Sequence, residues 1–133
     1  PDRMRRRRNS HAIERVVKVC GPKKCQNVRA TVDTGATTTF LTERLARMIG
    51  VVGTGGHGDV HTANGKVRAW GGRAKLCLRD RGCGCLTGNV GVLPAKSFGT
   101  TQMLIGQDYL EASKAIIDCS GRKLRCQRRR RRP

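Results

Sequence analysis

The chain has 133 residues and carries 28 Lys and Arg against 9 Asp and Glu, a formal net charge of +19 at pH 7. This length suits one domain, and 37% hydrophobic with only 3% aromatic residues predicts a core of Val, Leu, Ile and Ala. No apolar run approaches the ~20 residues of a membrane span, and residues 1–15 lack the apolar stretch of a signal peptide. These patterns exclude a membrane-spanning helix and favour an intracellular protein.

Arginine is concentrated at the two ends of the chain. Residues 1–9 and 127–133 hold ten Arg and one Asp, which is nine of the nineteen net positive charges. Blocks of like charge repel one another, so we expect a disordered basic arm over residues 1–13, a domain over 14–126 and a basic tail over 127–133. Such arms suit non-specific binding to nucleic acid, while solvated tails without a partner are the alternative.

The first half of the domain predicts a hairpin and then a short helix. Two strand-like segments, AIERVVKVC and CQNVRATVD, flank the breaker in GPKK and lead directly to Asp33. The helix follows TTTF, with Thr42 as its N-cap and Gly50 as its terminator. One side of this helix is apolar, formed by Leu41, Leu45, Met48 and Ile49.

The second half of the domain predicts further strands. A glycine-rich connection, VVGTGGHG, precedes a hairpin centred on Asn64-Gly65, a dipeptide that strongly favours a tight turn. CLTGNVGVLP is typical of a strand ended by Pro94, and QMLIG of a short buried strand. In DYLE, Asp108 and Glu111 have the spacing of a capping box at a helix start. KAIIDC and KLRC, joined by a turn at SGRK, close the domain.

The order of these elements predicts the fold class. The chain shows no alternation of strands with helices and no internal repeat, which argues against a parallel α/β sheet. We therefore expect an all-β fold, a small closed barrel with one or two short helices.

The cysteines allow several interpretations. A disulfide across CGPKKC is feasible if the flanking segments pair as strands, but reduced thiols are the first expectation without a signal peptide. Zinc is the least favoured, because neither CGPKKC nor CGC matches the common C-x2-C pair. The odd number leaves at least one cysteine unpaired in a monomer. The seven are Cys20, Cys25, Cys77, Cys83, Cys85, Cys119 and Cys126.

A strand that delivers Asp-Thr-Gly into a tight loop, as NVRATVDTG does at Asp33, resembles the active-site signature of aspartic proteases. In such sites two carboxylates brought within ~3 Å share one proton. The ionised carboxylate draws a proton from water, and the protonated one polarises the scissile carbonyl. A single Asp-Thr-Gly in the chain then implies a homodimer, in which symmetry places Asp33 opposite its own copy.

A second stretch, LIGQDYLEASKAIIDC, resembles the other hallmark of the retropepsin family, and TANG lies where such enzymes carry the flap. The resemblance covers about residues 14–126. Within the family, GQDYL and IIDC look most like proteases of gypsy-type LTR retrotransposons, and proteases of the DNA-damage-inducible type share much of the pattern. The chain departs from many retroviral enzymes at Thr37 and Thr38, where acidic residues are common.

The resemblance implies a set of site residues and no cofactor or metal. Asp33 is the expected catalytic carboxylate, Thr34 braces the paired loops of the dimer, and Gly35 contacts substrate backbone. The expected substrate-binding residues form the cleft floor, the flap tip and a pocket wall: Ala36, Thr37, Thr38, Thr62, Ala63, Asn64, Gly65, Leu104 and Ile105. His57 and His61 are given no role, because loop histidines are more often solvent-exposed than catalytic. Trp70 is expected in core or sheet packing.

These observations predict an aspartic endopeptidase that cleaves extended peptide segments, with the polyprotein that contained it as natural substrate. Its location would be the cytoplasm or a virus-like particle. The competing interpretation is a non-catalytic module of the same fold that binds nucleic acid through its arginine arms. Loss of activity on replacing Asp33 would indicate an enzyme, whereas loss of function only on trimming the arms would indicate a binding module.

Overall fold

The computed structural model of the protein describes residues 13–62, 65–94, 98, 101–118 and 123–127. Within this part the chain forms nine strands and two short helices. In chain order they are β1 (Ile13–Cys20), β2 (Cys25–Val32), β3 (Phe40–Thr42), α1 (Glu43–Ile49), β4 (His57–Thr62), β5 (Gly65–Leu78), β6 (Cys85–Leu93), β7 (Met103–Ile105), α2 (Gln107–Ala112), β8 (Ala115–Asp118) and β9 (Lys123–Cys126).

Six of the strands close into a barrel. The hydrogen-bonded order is β1-β2-β7-β3-β6-β5-β4, and a further pairing of β1 with β5 joins the ends of the six-stranded part. β4 extends the sheet beyond β5, and β8 pairs with β9 as a separate two-stranded sheet. The prediction of an all-β fold with a small closed barrel and two short helices is confirmed.

Two parallel pairings were not predicted. β2 lies parallel to β7, where Val32 is opposite Ile105, and β3 lies parallel to β6, where Leu41 is opposite Val92. Each pairing joins segments far apart in sequence, so no turn between adjacent segments could have predicted it. The β2–β7 pair brings the end of β2, just before Asp33, beside the segment that precedes α2.

The first hairpin matches the prediction. β1 and β2 are antiparallel along their full length, from Ile13 opposite Val32 to Cys20 opposite Cys25. Ile13 therefore belongs to the barrel, one residue earlier than the predicted domain start. The rest of the N-terminal arm and all of the tail beyond Gln127 lie outside the described residues.

The second hairpin differs from its prediction by one residue. β4 and β5 are paired up to Thr62 and Gly65, so the strands approach one residue earlier than a turn centred on Asn64-Gly65 requires. Gly65 instead opens β5 with φ of 107°, a conformation that glycine adopts without a steric penalty. Residues 63–64 lie outside the described part.

The barrel is filled by aliphatic side chains, as the composition predicts. Alternate residues of the strands point inward, and the side chains of Val17, Leu41 and Met103 are fully buried. A second, smaller apolar cluster of Ala69, Leu93 and Phe98 lies where the β4–β5 hairpin meets the barrel. Trp70 is half-buried against the main core, in agreement with its predicted packing role.

The two helices differ in how well their ends were predicted. α1 begins after Thr42, whose hydroxyl accepts from the Leu45 N–H at 3.2 Å, and ends at Gly50 with φ of 83°, as expected. The capping box predicted for Asp108 and Glu111 is wrong. The N-cap of α2 is Gly106, whose carbonyl accepts from the Leu110 N–H, so Asp108 lies inside the first turn and is free to bond elsewhere.

The expectation of reduced thiols is also wrong for six of the seven cysteines. Disulfides join Cys20 to Cys25, Cys77 to Cys85 and Cys83 to Cys126. In the first two pairs the partners lie directly opposite each other in antiparallel strands, with Cα atoms 3.9 and 4.0 Å apart. The strand register places these cysteines opposite each other, and cysteine number and spacing do not predict that register.

Neither helix in the described part of the chain is long and apolar enough to cross a bilayer. In the same part of the chain, no group of three or more His, Cys, Asp or Glu side chains is arranged to hold a metal ion.

Candidate active site

Asp33 stands at the end of the β2 strand, where the barrel opens. The Asp33 N–H donates to the Ile105 carbonyl at 2.9 Å, which continues the parallel pairing of β2 with β7 by one residue. The chain then leaves the sheet, and Asp33 is half-buried. The long-range β2–β7 pair thus positions the candidate catalytic residue.

A tight loop holds the carboxylate in place. The Ala36 N–H donates to the Asp33 carbonyl at 3.2 Å, which closes a turn over Thr34 and Gly35. The Gly35 N–H donates to Asp33 Oδ1 at 3.0 Å, and a Cβ on Gly35 would lie 3.3 Å from that oxygen. Glycine therefore suits this position, because the backbone amide must come close to the carboxylate.

The first brace of this loop consists of backbone hydrogen bonds from the start of α2. The Gln107 N–H donates to the Ala36 carbonyl at 2.8 Å, and the Asp108 N–H donates to the Thr37 carbonyl at 3.2 Å. A side chain on Gly106 would place its Cβ only 2.5 Å from the Thr38 carbonyl oxygen, so the two segments require glycine here. Gln107 Nε2 also donates to the Thr34 carbonyl at 2.7 Å.

Asp108 and Thr39 form the second brace between α2 and the loop. The Asp108 carboxylate accepts from the Thr39 N–H at 3.1 Å and from its hydroxyl at 2.7 Å. Thr39 is only 1% exposed, and its hydroxyl oxygen accepts from the Gly106 N–H at 3.1 Å. The hydroxyl of this buried threonine therefore has both a hydrogen-bond acceptor, on α2, and a donor, on the residue before α2.

Tyr109 anchors α2 to the barrel. Its hydroxyl donates to the Leu76 carbonyl at 3.1 Å. Burial raises the pKa of Tyr109 to about 12, with an opposing contribution from a backbone hydrogen bond at Leu78. The phenol is therefore neutral at physiological pH and serves packing rather than proton transfer.

We expect Asp108→Ala to lower the free energy of unfolding by about 1–3 kcal/mol, because the buried N–H and hydroxyl of Thr39 lose their acceptor. Urea unfolding of the two proteins measures the difference. Glu111→Ala is the matched control, since it removes one carboxylate from the same helix and should change stability by no more than about 0.5 kcal/mol. Equal losses in the two variants would contradict a specific role for the Asp108–Thr39 contact.

A cleft of about 630 Å³ lies between this loop and the β4–β5 hairpin. Asp33, Gly35, Ala36, Thr37 and Thr38 line its floor. Val60 and Val67 of the hairpin pack against the second apolar cluster, as do Phe40 and Leu104 from the barrel. The hairpin therefore forms the side of the cleft that faces the Asp33 loop.

The remaining predicted site residues do not all line the cleft. Leu104 lines the cleft, but Ile105 is fully buried in the barrel core, because neighbouring residues of β7 face opposite sides. Thr34 is exposed and contributes its carbonyl to the Gln107 contact rather than a surface of the cleft. Of the predicted flap tip, Thr62 ends β4 and Gly65 opens β5, whereas Ala63 and Asn64 lie outside the described residues.

Several lining residues were missed by sequence reasoning. They are Phe40, Asp59, Val60, His61 and Leu93. The alternation of β4 could have indicated Val60, but Phe40 and Leu93 reach the cleft only because β3 pairs with β6. His61, given no role from the sequence, belongs to this wall.

One half-buried carboxylate, held by a backbone amide at the floor of a cleft, can act as a base toward a bound water. Asp59 is the other carboxylate that lines the cleft. It stands on the hairpin directly opposite Arg68, and no loop or backbone amide holds it in the way that Gly35 holds Asp33. Among the described residues, the cleft therefore contains one carboxylate per chain that is held by a loop, Asp33.

Comparison with solved structures shows the same fold. EIAV protease, in a structure "complexed with the inhibitor HBY-793", aligns with a TM-score of 0.56 at 18% identity, covering 74% of this chain and 85% of that one. The retroviral protease-like domain of Ddi1 from Leishmania major aligns with a TM-score of 0.54 at 18% identity, covering 86% and 84%.

No curated protein matches the chain at a significant level. A family model does match, over residues 24–112, and its description is "gag-polyprotein putative aspartyl protease". The matched segment contains the Asp33 loop, the β4–β5 hairpin and α2. Because the match covers the greater part of the chain and the fold is that of retropepsins, this protein belongs to the family of gag-polyprotein aspartyl proteases.

Proposed function

We propose that the protein is an aspartic endopeptidase whose active form is a homodimer. The observation that carries the proposal is the Asp33 loop, in which the Gly35 N–H holds one carboxylate oxygen at 3.0 Å on the floor of an open cleft. Each chain supplies one such loop, and the two-fold axis of a dimer would bring two of them together.

In the dimer the two Asp33 carboxylates share a single proton. The ionised carboxylate takes a proton from the bound water, whose oxygen attacks the carbonyl carbon of the scissile peptide bond. The protonated carboxyl group gives its proton to the carbonyl oxygen, which forms a tetrahedral intermediate. Collapse of the intermediate breaks the C–N bond, and the leaving amine takes up a proton. No metal or cofactor enters this scheme.

The substrate is an extended peptide that lies between the cleft floor and the hairpin. β4 is the last strand of its sheet, so main-chain groups at its outer edge are available to pair with a peptide strand. The apolar side chains of Phe40, Val60, Leu93 and Leu104 line the cleft and favour apolar substrate side chains near the scissile bond. The natural substrate in this proposal is the polyprotein from which the chain derives.

The test is incubation with a diverse peptide library at several pH values, followed by mass spectrometry of the products. We expect endoproteolytic cleavage between apolar residues that is abolished by an inhibitor mimicking the tetrahedral intermediate of aspartic proteases. Cleavage that survives the inhibitor, or none at any pH, would contradict the proposal.

The arginine-rich arms serve a different purpose in this proposal, which is non-specific binding to nucleic acid. Deleting residues 1–9 and 127–133 should leave peptide cleavage intact and weaken binding to RNA or DNA, because contacts with phosphates are lost. The salt dependence of binding should become shallower for the same reason. Cleavage and fluorescence anisotropy measured on the same preparations separate the two activities. Binding that is unchanged by the deletion would show that the arms make no contact.

The competing function, a non-catalytic module that only binds nucleic acid, is less well supported. It does not explain why the Asp33 loop has two braces from α2 or why the loop faces a cleft.

A further inference from the structure

Where β1 pairs with β5, the outer face of the barrel carries the exposed cations Lys18, Arg73 and Lys75, and the exposed Arg79 follows β5 directly. We call these four cations the basic face. Alternate residues of each strand point outward, and their neighbours, such as Val17 and Leu76, are buried in the core. The basic face is therefore a direct product of strand alternation on the side of the barrel away from its core.

The register of the strands brings these cations together. Lys18 lies opposite Cys77 in the β1–β5 pair, so Lys75, two residues away on the same face, is its diagonal neighbour at about 7–8 Å between Cα atoms. Arg79 approaches from the other direction, since its Nη2 donates to Asn27 Oδ1 at 3.3 Å and Asn27 is opposite Lys18 on β2.

These four charges are not compensated by neighbouring carboxylates. Two cations of the neighbouring strands do form ion pairs, Arg15 with Asp80 at 3.1 Å and Arg29 with Glu14 at 3.7 Å. Among the described residues, no carboxylate forms an ion pair with a member of the basic face. The four positive charges of the basic face are thus not neutralised by ion pairs within the described part of the chain.

Two disulfides hold the strands beneath the basic face. Cys20–Cys25 joins β1 to β2, and Cys77–Cys85 joins β5 to β6, while Cys20 and Lys75 are opposite each other across β1 and β5. The four strands span about 14 Å at the usual spacing between strands. The cations therefore project from a covalently braced platform rather than from a loop.

The basic face is also remote from the cleft. Asn27, beside Lys18, precedes Asp33 by six residues of extended chain, which corresponds to about 20 Å. A ligand seated on the basic face would leave the cleft open.

We propose that the basic face binds the phosphate backbone of nucleic acid without regard to base sequence. Exposed, unpaired Lys and Arg on a rigid surface bind phosphates and release counterions. Base stacking has no part in it, because the four aromatic residues of the chain lie in the two apolar clusters or against them: Phe40, Trp70, Phe98 and Tyr109. This inference does not depend on the proteolytic function.

The test compares two variants of the full chain that lose the same charge. Lys18, Arg73, Lys75 and Arg79 are changed to Gln in the first, and the exposed cations Arg44, Lys114, Lys123 and Arg125 in the second. Binding to a fluorescein-labelled DNA duplex of roughly 20 base pairs is measured by anisotropy between about 50 and 200 mM NaCl.

We expect the slope of log K against log salt to become shallower by about 3 to 4 in the first variant and by less than about 1 in the control. Duplexes of different sequence should give the same result. An equal change in both variants would overturn the proposal in favour of overall net charge, and an unchanged slope in the first variant would overturn it in favour of the arms.

A second measurement uses the unmodified chain and so does not depend on the variants folding. Acetylation of lysines, followed by mass spectrometry, should show Lys18 and Lys75 protected by the duplex while Lys114 and Lys123 react as before. Uniform protection of all four lysines, or of none, would also overturn the proposal.

Discussion

Replacing Asp33 with asparagine is expected to abolish peptide cleavage while leaving the barrel folded. The amide is nearly isosteric with the carboxylate. In the unmodified chain the Gly35 N–H donates to Asp33 Oδ1 at 3.0 Å, and the amide oxygen of the variant can accept the same hydrogen bond. It cannot take a proton from water, so we expect kcat to fall by at least about 10²–10⁴-fold. The measurement is kcat on the best library peptide, with thermal unfolding as the check on folding.

Asp59→Asn is the informative comparison, because it changes the other carboxylate that lines the cleft. Its effect should be confined to substrate preference or KM, since Asp59 stands on the hairpin and opposite Arg68. If the two substitutions abolished kcat to the same extent, Asp59 would be the second catalytic carboxylate and the site would lie within one chain. If Asp33→Asn turned over substrate at the normal rate, the protease proposal would be wrong.

Mixing the unmodified chain with Asp33→Asn chains is expected to inhibit the enzyme. Random pairing in a two-fold dimer with a ninefold excess of the variant leaves about a tenth of the unmodified chains in fully functional dimers, so activity per unmodified chain should fall roughly tenfold. A mixed dimer holds only one functional Asp33, and the shared-proton mechanism needs two.

Dilution provides the independent measurement for the same prediction. Activity per chain should fall as the dimer dissociates, and the fall should begin at higher protein concentration in low salt, because the +19 charge on each chain opposes association until salt screens it. Sedimentation velocity under the same conditions locates the monomer range. Constant activity per chain in that range, together with no inhibition in the mixture, would show that each monomer contains a complete site.

Two features encoded in short windows of sequence were predicted correctly, the first hairpin and the ends of the first helix. The β1–β2 hairpin follows from two alternating segments around a Gly-Pro breaker, and the ends of α1 follow from the Thr42 hydroxyl and the glycine at position 50. These signals work because turns and caps depend on contacts between residues only a few positions apart. Asp33 was chosen as the candidate catalytic residue from a similarly short window, Asp-Thr-Gly after a strand, and from its resemblance to aspartic proteases.

Features that depend on distant segments were decided by the tertiary structure. The sequence places Asp33 at a strand end, but only the β2–β7 pair brings it beside α2, and only the β3–β6 pair brings Phe40 and Leu93 into the cleft. The same holds for Asp108, which a local capping pattern assigned to its own helix. Its carboxylate accepts from the adjacent Tyr109 N–H at 2.7 Å and also from the Thr39 hydroxyl, 69 residues away. Only the tertiary structure decides the second of these contacts.

The pairing of the cysteines could not be predicted from the sequence alone. Their number and spacing allowed thiols, disulfides or zinc, and thiols were the first expectation. The disulfides form because antiparallel register sets Cys20 opposite Cys25 and Cys77 opposite Cys85, and because the barrel brings Cys126 to Cys83. The sequence by itself determined the β1–β2 hairpin, the ends of α1 and the choice of Asp33 as the candidate catalytic residue. Which distant side chains share a cleft, a brace or a bond was decided by packing, because a strand register cannot be read from one strand alone.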